Sequence, residues 1–164
     1  MNIILGTANW CRHGYGKELG RDECFRIMDR AKELGIKTLA TAFDYGKDVA
    51  DEYGWVDRVH KYEPRKIEWD GLHGISIDEY DWRIKSELLM APFNPLNHEF
   101  VEYTKGDFFI ARSIFCGGKL QRSHPEDVAR LVFGFLKSHD VKNAVFGVES
   151  IEELELNVRV ANEK

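Results

Sequence analysis

The stretch T-L-A-T-A-F-D-Y-G-K, Thr38 to Lys47, points most clearly to the fold of this chain. It lies one predicted helix after the opening apolar run I-I-L-G-T-A, residues 3–8. Short apolar runs bounded by glycine and polar residues are typical of buried parallel strands, and strands that alternate with helices indicate a parallel sheet. The N-terminal part of the chain is therefore predicted to be a strand, a helix and a second strand ending in Ala-x-x-Tyr-Gly.

The same alternation continues to the C-terminal end. Strands are predicted at residues 2–7, 37–43, 58–62, 72–77, 88–93, 107–113 and 143–147. Helices are predicted at residues 22–34, 48–53 and 97–103, after Ser123 with Pro125 in the first turn, and after Ser150. Asp22 and Ser123 are predicted N-caps, and Ser150 with Glu153 predicts an S-x-x-E capping box. A hairpin is expected where residues 65–69 follow the turn Glu63-Pro64.

Length and composition favour one globular domain over residues 1–164, since 43% of the residues are hydrophobic and 31% are charged. The net charge of −5, without a block of Lys and Arg, argues against nucleic-acid binding. No apolar run approaches the roughly 20 residues that cross a bilayer, and no signal peptide is recognisable, so a cytoplasmic location is expected. Cys11, Cys24 and Cys116 lack zinc or disulfide spacing, and we expect no metal site.

Five segments resemble, in family order, motifs of the aldo-keto reductases. Besides Thr41, Ala42, Tyr45 and Gly46 of the opening stretch, they are L-G-T-A-N-W at residues 5–10, G-I-S-I at 74–77, A-P-F-N-P-L-N at 91–97, A-R-S-I-F-C-G-G-K-L at 111–120 and V-F-G-V-E-S-I-E-E-L-E-L-N-V at 145–158. The resemblance implies a (β/α)₈ barrel of the TIM type.

The chain is short for that barrel, which needs about 250 residues and rarely fewer than about 200. Only 27 residues separate Gly46 from Gly74, which leaves room for little more than a short helix and one strand or hairpin. The expected fold is therefore α/β, an incomplete or rebuilt barrel with central βα elements missing. An open sheet edge would need a cover, which either the hairpin or a second subunit of a homo-oligomer would provide.

For catalysis the resemblance implies a tetrad of aspartate, tyrosine, lysine and histidine that reduces carbonyl groups. Tyr45 matches the tyrosine, the proton donor. Lys61 matches the lysine, if residues 59–61 form the third strand; a nearby lysine lowers the pKa of a tyrosine. Ala40 stands where the family has aspartate. His73 follows Leu72, as the family's catalytic histidine follows a leucine. However, Gly74-Ile75-Ser76 resembles the next strand of the family, and His73 cannot belong to both strands. The alternative is therefore that His73 is an ordinary strand residue with a satisfied hydrogen bond.

For the cofactor the resemblance implies contacts with NAD or NADP. The candidate residues are Ser76, Asn94, Arg112, Ser113, Gly147, Ser150 and Asn157. Met90 replaces the family's glutamine. Glu149 would repel a 2′-phosphate, which favours NAD over NADP or weak binding; alternatively Ser150 only caps its helix.

Two functions follow from these matches and mismatches. The first is an NAD(P)H-dependent oxidoreductase that acts on a small carbonyl compound. The second is a catalytically inactive relative that serves as a binding or scaffold protein, because Ala40, Met90 and the missing histidine strand remove family chemistry. A third possibility is a different enzyme on the same barrel, such as an isomerase or lyase, and it rests on analogy alone.

Overall fold

The structure, a computed structural model, describes residues 1–10, 19–41, 47–55, 57–61, 72–76, 88–117, 119–120 and 124–163. In these ranges the strands are β1 (Asn2–Gly6), β2 (Thr38–Thr41), β3 (Arg58–Lys61), β4 (Leu72–Ser76), β5 (Leu88–Pro92), β6 (Phe109–Arg112) and β7 (Asn143–Gly147). The α-helices are α1 (Arg21–Glu33), α2 (Lys47–Tyr53), α3 (Pro125–Ser138) and α4 (Ile151–Asn162), with short 3₁₀ helices at Ala8–Trp10 and Val101–Tyr103.

The seven strands form a closed parallel barrel in chain order. β7 closes the barrel against β1 through five residue pairs, from Asn2 with Asn143 to Gly6 with Gly147. The prediction of a rebuilt (β/α) barrel is confirmed, and the rebuilding takes the form of closure with one strand fewer than eight.

Closure removes the open edge that the sequence led us to expect. β3 pairs with β2 on one side and with β4 on the other, so both of its edges are occupied. Residues 65–69 lie outside the described residues, but β3 offers them no edge for the expected hairpin. A second subunit is likewise not needed as an edge cover, and the homo-oligomer stays a prediction.

Alternation along the strands separates an inner layer from an outer layer. Ile4, Ala40, Met90 and Ile110 are buried in one cluster, against which Val145 packs, and we call these five residues the inner cluster. The residues next to them in sequence, such as Leu5, Phe109 and Phe146, belong to the larger core beneath the helices. Because side chains alternate between the two faces of a strand, the inner cluster fills the barrel and the larger core lies outside it.

The helices cover the barrel through buried apolar faces. On α3, Phe133 is 1% exposed, and its ring meets those of Phe115 at 5.9 Å and Phe146 at 6.0 Å, edge to face in both cases. Leu131 is apolar as well, but it is 58% exposed. The buried positions of α3 are Ala129, Val132, Phe133 and Leu136, and residue 131 falls beside that row at helical spacing.

Two predicted helix starts differ from the structure. α1 begins at Arg21 after Gly20, so Asp22 lies in the first turn rather than at the N-cap. In the first turn its negative charge is still attracted to the positive end of the helix dipole. α3 begins with Pro125 in its first turn, as predicted, but its N-cap is His124 rather than Ser123, and no side chain caps it. Of the helix expected at 97–103, the structure has the 3₁₀ turn Val101–Tyr103.

Asp140, just beyond the end of α3, has a left-handed backbone with φ of 57°. Its N–H donates to the carbonyl of Lys137 at 3.1 Å. Glycine is the preferred residue at such a position, because a Cβ strains this conformation. We expect Asp140→Gly to raise the free energy of unfolding by about 1 kcal/mol in urea denaturation. Asp140→Ala keeps the Cβ and should bring no gain; equal stability of the two variants would contradict the explanation.

No helix in the described ranges is both long and apolar enough to span a membrane.

Candidate active site at the carboxyl ends of the strands

Parallel strands bring their carboxyl ends to one face of the barrel, where barrel enzymes carry their active sites. β2 leads into residues 42–46, so Tyr45 lies outside the described residues. Lys61 is the last residue of β3, directly beside β2, so the condition that residues 59–61 form the third strand is met. The roles of Tyr45 and Lys61 stay predictions.

His73 lies lower in the barrel wall than a residue at the strand end. It pairs with His60 of β3 and lies three positions before Ser76, the last residue of β4. At about 3.3 Å per residue, its backbone is about 10 Å below that end. Ser76 does occupy the carboxyl end, in register with Met90 of β5. The catalytic role of His73 and its alternative both stay predictions.

Ala40 and Met90, which replace the family's aspartate and glutamine, meet in the inner cluster. Ala40 is 8% exposed and Met90 is 4% exposed, although they belong to β2 and β5. Two positions where the resemblance implies polar groups therefore contribute instead to an apolar floor beneath the barrel mouth. The sequence showed both replacements, but only the fold shows that they belong to one cluster.

Thr7 and Thr41 form a hydroxyl pair that the sequence did not reveal. The Thr7 hydroxyl lies 3.0 Å from that of Thr41 and 3.3 Å from the carbonyl oxygen of Ala40, and both threonines are buried. The pair ties the end of β1 to the end of β2, where the segment with Tyr45 begins.

Asn94, after β5, uses its side-chain amide to shape the backbone. Its Nδ2 donates to the carbonyl of Ser113 at 3.1 Å, and its Oδ1 accepts from the N–H of Leu96 at 3.0 Å. Ser113 follows β6 and has a left-handed φ of 52°. Asn94 thus fixes the ends of β5 and β6 relative to each other, while contacts of Asn94 and Ser113 with a cofactor stay predictions.

The N-terminus of α4 is capped by its own side chains. The Ser150 hydroxyl accepts from the N–H of Glu153 at 3.2 Å, as the predicted capping box requires. The Glu153 carboxylate accepts from the N–H of Glu149 at 2.8 Å, so the return bond of the box falls one residue before Ser150. Hydrogen bonds from the backbone N–H of Glu152 and from the Ser150 hydroxyl hold the pKa of the Glu152 carboxyl below its usual range. Carboxylates therefore already occupy this anion-attracting end.

Asn157, in the middle of α4, is 1% exposed, and neither its Nδ2 nor its Oδ1 has a hydrogen-bond partner among the described residues. An unsatisfied buried amide costs about 1–3 kcal/mol, and such groups are rare in folded proteins. Asn157 is also the residue that the resemblance assigns to the adenine side of the cofactor. A contact between Asn157 and a cofactor stays a prediction.

Trp10 connects this region to β1. It is 3% exposed, and its Nε1 donates to the carbonyl of Val148 at 3.4 Å, immediately after β7. Its indole therefore provides a fluorescent reporter beside the start of α4.

The described cysteines are not activated. Burial raises the pKa of the Cys24 thiol to about 11 and raises that of Cys116 above its usual value. Cys11 lies outside the described residues, within which no group of three His, Cys, Asp or Glu could hold a metal ion.

Comparison with solved structures identifies the architecture. An aldo-keto reductase of Bacillus halodurans, AKR11C1 in its holo form, superposes with a TM-score of 0.66 at 16% identity, over 99% of this chain and 87% of that one. A protein of Pseudomonas aeruginosa assigned to the aldo-keto reductases gives 0.65 at 16% identity, over 97% and 88% of the two chains.

This chain has the aldo-keto reductase fold. An aspartate-to-alanine mutant of Gox0644 in complex with NADPH also matches, with a TM-score of 0.68 at 10% identity over 99% of this chain and 84% of that one. No protein-family model matches the sequence, and no curated protein matches it either. The likeness to aldo-keto reductases is therefore one of fold, reached with seven strands in 164 residues.

Proposed function

We propose that this chain is an oxidoreductase of the aldo-keto reductase type that binds a nicotinamide dinucleotide at the barrel mouth and α4. The observation that carries the proposal is the buried amide of Asn157, which has no partner among the described residues. The adenine edge offers both a donor and an acceptor, which is what a side-chain amide can pair with. Asn157, whose amide is enclosed, would hold that end once the side chains over it move aside, and the backbone around Gly147 would hold the part nearer the mouth.

The charges at α4 favour NAD over NADP. Glu149 is exposed, and the carboxylates of Glu152 and Glu153 lie in the first turn of the helix. A 2′-phosphate near this end would meet three carboxylates, whereas the adenosine ribose of NAD brings no added charge. One structural neighbour is in complex with NADPH, but only 10% of its aligned residues are identical to those of this chain.

Chemistry at the mouth would depend on Tyr45 and Lys61. The cofactor supplies a hydride when bound, and the developing alkoxide needs a proton. Tyr45 would donate that proton, and Lys61, at the end of the neighbouring strand, would lower the pKa of the phenol. Without an aspartate at position 40, the lysine lacks its family partner, so we expect slow turnover.

The proposal is tested by calorimetric titration with NADH and NADPH, with the emission of the four tryptophans as a second signal. We expect saturable binding of NADH, weaker binding of NADPH, and roughly tenfold weaker NADH binding in Asn157→Leu, because two hydrogen bonds are lost. The same variant should be as stable as the parent or more stable, since leucine leaves no buried polar group unmet.

Asn162→Leu, an exposed position on the same helix, serves as the control and should leave the NADH affinity unchanged. Absence of binding of either nucleotide at millimolar concentration would refute the proposal.

A second candidate function, a catalytically inactive binding protein, is favoured by the apolar floor of Ala40 and Met90. Loss of acid–base groups typically lowers rates ~10²–10⁴-fold. A panel of aldehydes with NADH decides between the two functions. Turnover that disappears in Tyr45→Phe supports the enzyme, whereas NADH binding without Tyr45-dependent turnover supports the inactive relative.

A further inference from the structure

Helix α3 carries apolar surface on the side away from its buried residues. Asp127, Leu131, Gly134 and Ser138 are all exposed, and they lie within about 60° of one another around the helix axis. We call these four residues the exposed face of α3. A surface helix usually presents charged and polar side chains to water, but here Leu131 is 58% exposed near the centre of the face.

Gly134 is not explained by packing within the chain. A Cβ at this position would meet nothing within 4 Å. Glycine is the poorest helix former after proline, so alanine here would strengthen the helix of an isolated chain. What glycine does allow is the close approach of another backbone. Next to the protruding side chain of Leu131, it leaves a depression of the kind that a protruding side chain can fill.

A second copy of α3 fits this face when it runs antiparallel across the first. With a two-fold axis midway between residues 131 and 134, Leu131 of each copy lies against the partner's Gly134. Both contacts then form at once, as a two-fold interface requires. Since the two residues are about 4.5 Å apart along the helix axis, the two contacts lie side by side at the centre of the crossing.

The charges along α3 favour the same antiparallel orientation. The two-fold axis brings Asp127 beside the partner's Lys137, whereas a parallel pairing would bring each charge beside its own copy. Asp127 forms no ion pair within the part of the chain that the structure describes, and Lys137 donates to the backbone carbonyl of Glu163 rather than to a carboxylate. Glu126 and Arg130, which flank the face, already pair with each other. Such charges fix orientation more than they add affinity.

We propose that the exposed face of α3 binds a second copy of this chain, antiparallel, with Leu131 against the partner's Gly134. One helix pair buries less than the roughly 1,000 Å² that stable interfaces exceed, so the dimer forms and separates readily. Unfolding measured at low micromolar concentration therefore reports on the monomer. The inference does not rest on the proposed function, because neither the barrel mouth nor a cofactor takes part.

Sedimentation equilibrium from micromolar to millimolar concentration tests the interface, and we expect the parent protein to show a monomer–dimer equilibrium. Gly134→Ala should weaken dimerisation about tenfold, because the added methyl group meets the partner's Leu131. The same variant should raise the urea midpoint of the monomer, because alanine is the better helix former. Leu131→Ser should also weaken dimerisation about tenfold. Leu96→Ser, at a 69% exposed position outside α3, should leave it unchanged.

Two charge reversals test the antiparallel orientation. Asp127→Lys and Lys137→Asp should each weaken self-association about tenfold, because like charges then face each other at both ends of the crossing. An equimolar mixture of the two variants should dimerise as the parent does, since opposite charges meet again at both ends.

Several results would overturn the proposal. They are a parent protein that stays monomeric at millimolar concentration, a Gly134→Ala variant that dimerises as tightly as the parent, and charge variants that associate no better when mixed. Equal weakening by Leu131→Ser and Leu96→Ser would overturn it as well, because it would indicate association of apolar surface without a defined face.

Discussion

Replacing Ala40 with aspartate is expected to lower the free energy of unfolding by about 3–5 kcal/mol at pH 7, the cost of an unpaired buried charge. Ala40 is 8% exposed and is buried with Ile4, Met90 and Ile110. An aspartate there would restore the residue type that the family resemblance implies, but in apolar surroundings.

The pH dependence of the Ala40→Asp variant follows from the same burial. An apolar environment raises the pKa of a carboxyl above its unfolded value of about 3.9. The folded state then holds the proton more tightly than the unfolded state. The penalty should therefore be smallest near pH 4 and grow as the pH rises.

Urea denaturation at several pH values measures this penalty, and Ala40→Asn is the matched control. The amide has the same shape without a charge, so its smaller penalty should not change with pH. A pH-independent cost below about 1 kcal/mol for aspartate, the scale of an ordinary surface change, would mean that the carboxylate finds a cation such as Lys61. That result, especially with a gain in aldehyde turnover, would argue that the tetrad geometry is still present.

Truncating Phe133 is the second change with a large expected effect. Its ring is 1% exposed and packs between Phe115 and Phe146, so it joins α3 to the barrel. Phe133→Ala should cost about 3–5 kcal/mol through lost apolar burial and the cavity left behind. In a chain of 164 residues that is a large share of the total stability.

Leu131→Ala on the same helix is the control for Phe133→Ala. Leu131 is 58% exposed, so its loss should change the stability by less than about 0.5 kcal/mol. Thermal and urea unfolding of both variants provides the measurement. Similar losses for the two substitutions would contradict the packing described for α3.

The elements near the two ends of the chain could be predicted because the local sequence signals agree there. β1, β7 and α4 are short apolar or periodic segments with clear boundaries, and Ser150 caps α4 as its sequence predicts. Closure with seven strands could not be predicted, because it depends on two strand pairings that no local pattern encodes. One joins β3 to β4, which ten residues of chain separate, and the other joins β7 to β1. Short length indicated that elements were missing, but it did not indicate how the remaining strands would close.

The candidate site divides in the same way. The replacements at Ala40 and Met90 were visible as departures from the family pattern, but their meeting in one cluster depends on strand register. The bond between Thr7 and Thr41 joins residues 34 positions apart and leaves no local signal. Asn157 was singled out by resemblance, whereas its burial without a partner among the described residues is a property of the packed helix.

Amide hydrogen exchange with and without NADH tests the central claim most directly, because it locates the site without requiring turnover. The claim is that a seven-stranded aldo-keto reductase barrel retains the cofactor-binding end formed by β7 and α4. We expect NADH to slow exchange in residues 147–157 and at Trp10, and to slow it less in Asn157→Leu. Unchanged exchange at saturating NADH, or protection confined to the opposite end of the barrel around Lys37 and Asp57, would contradict the claim.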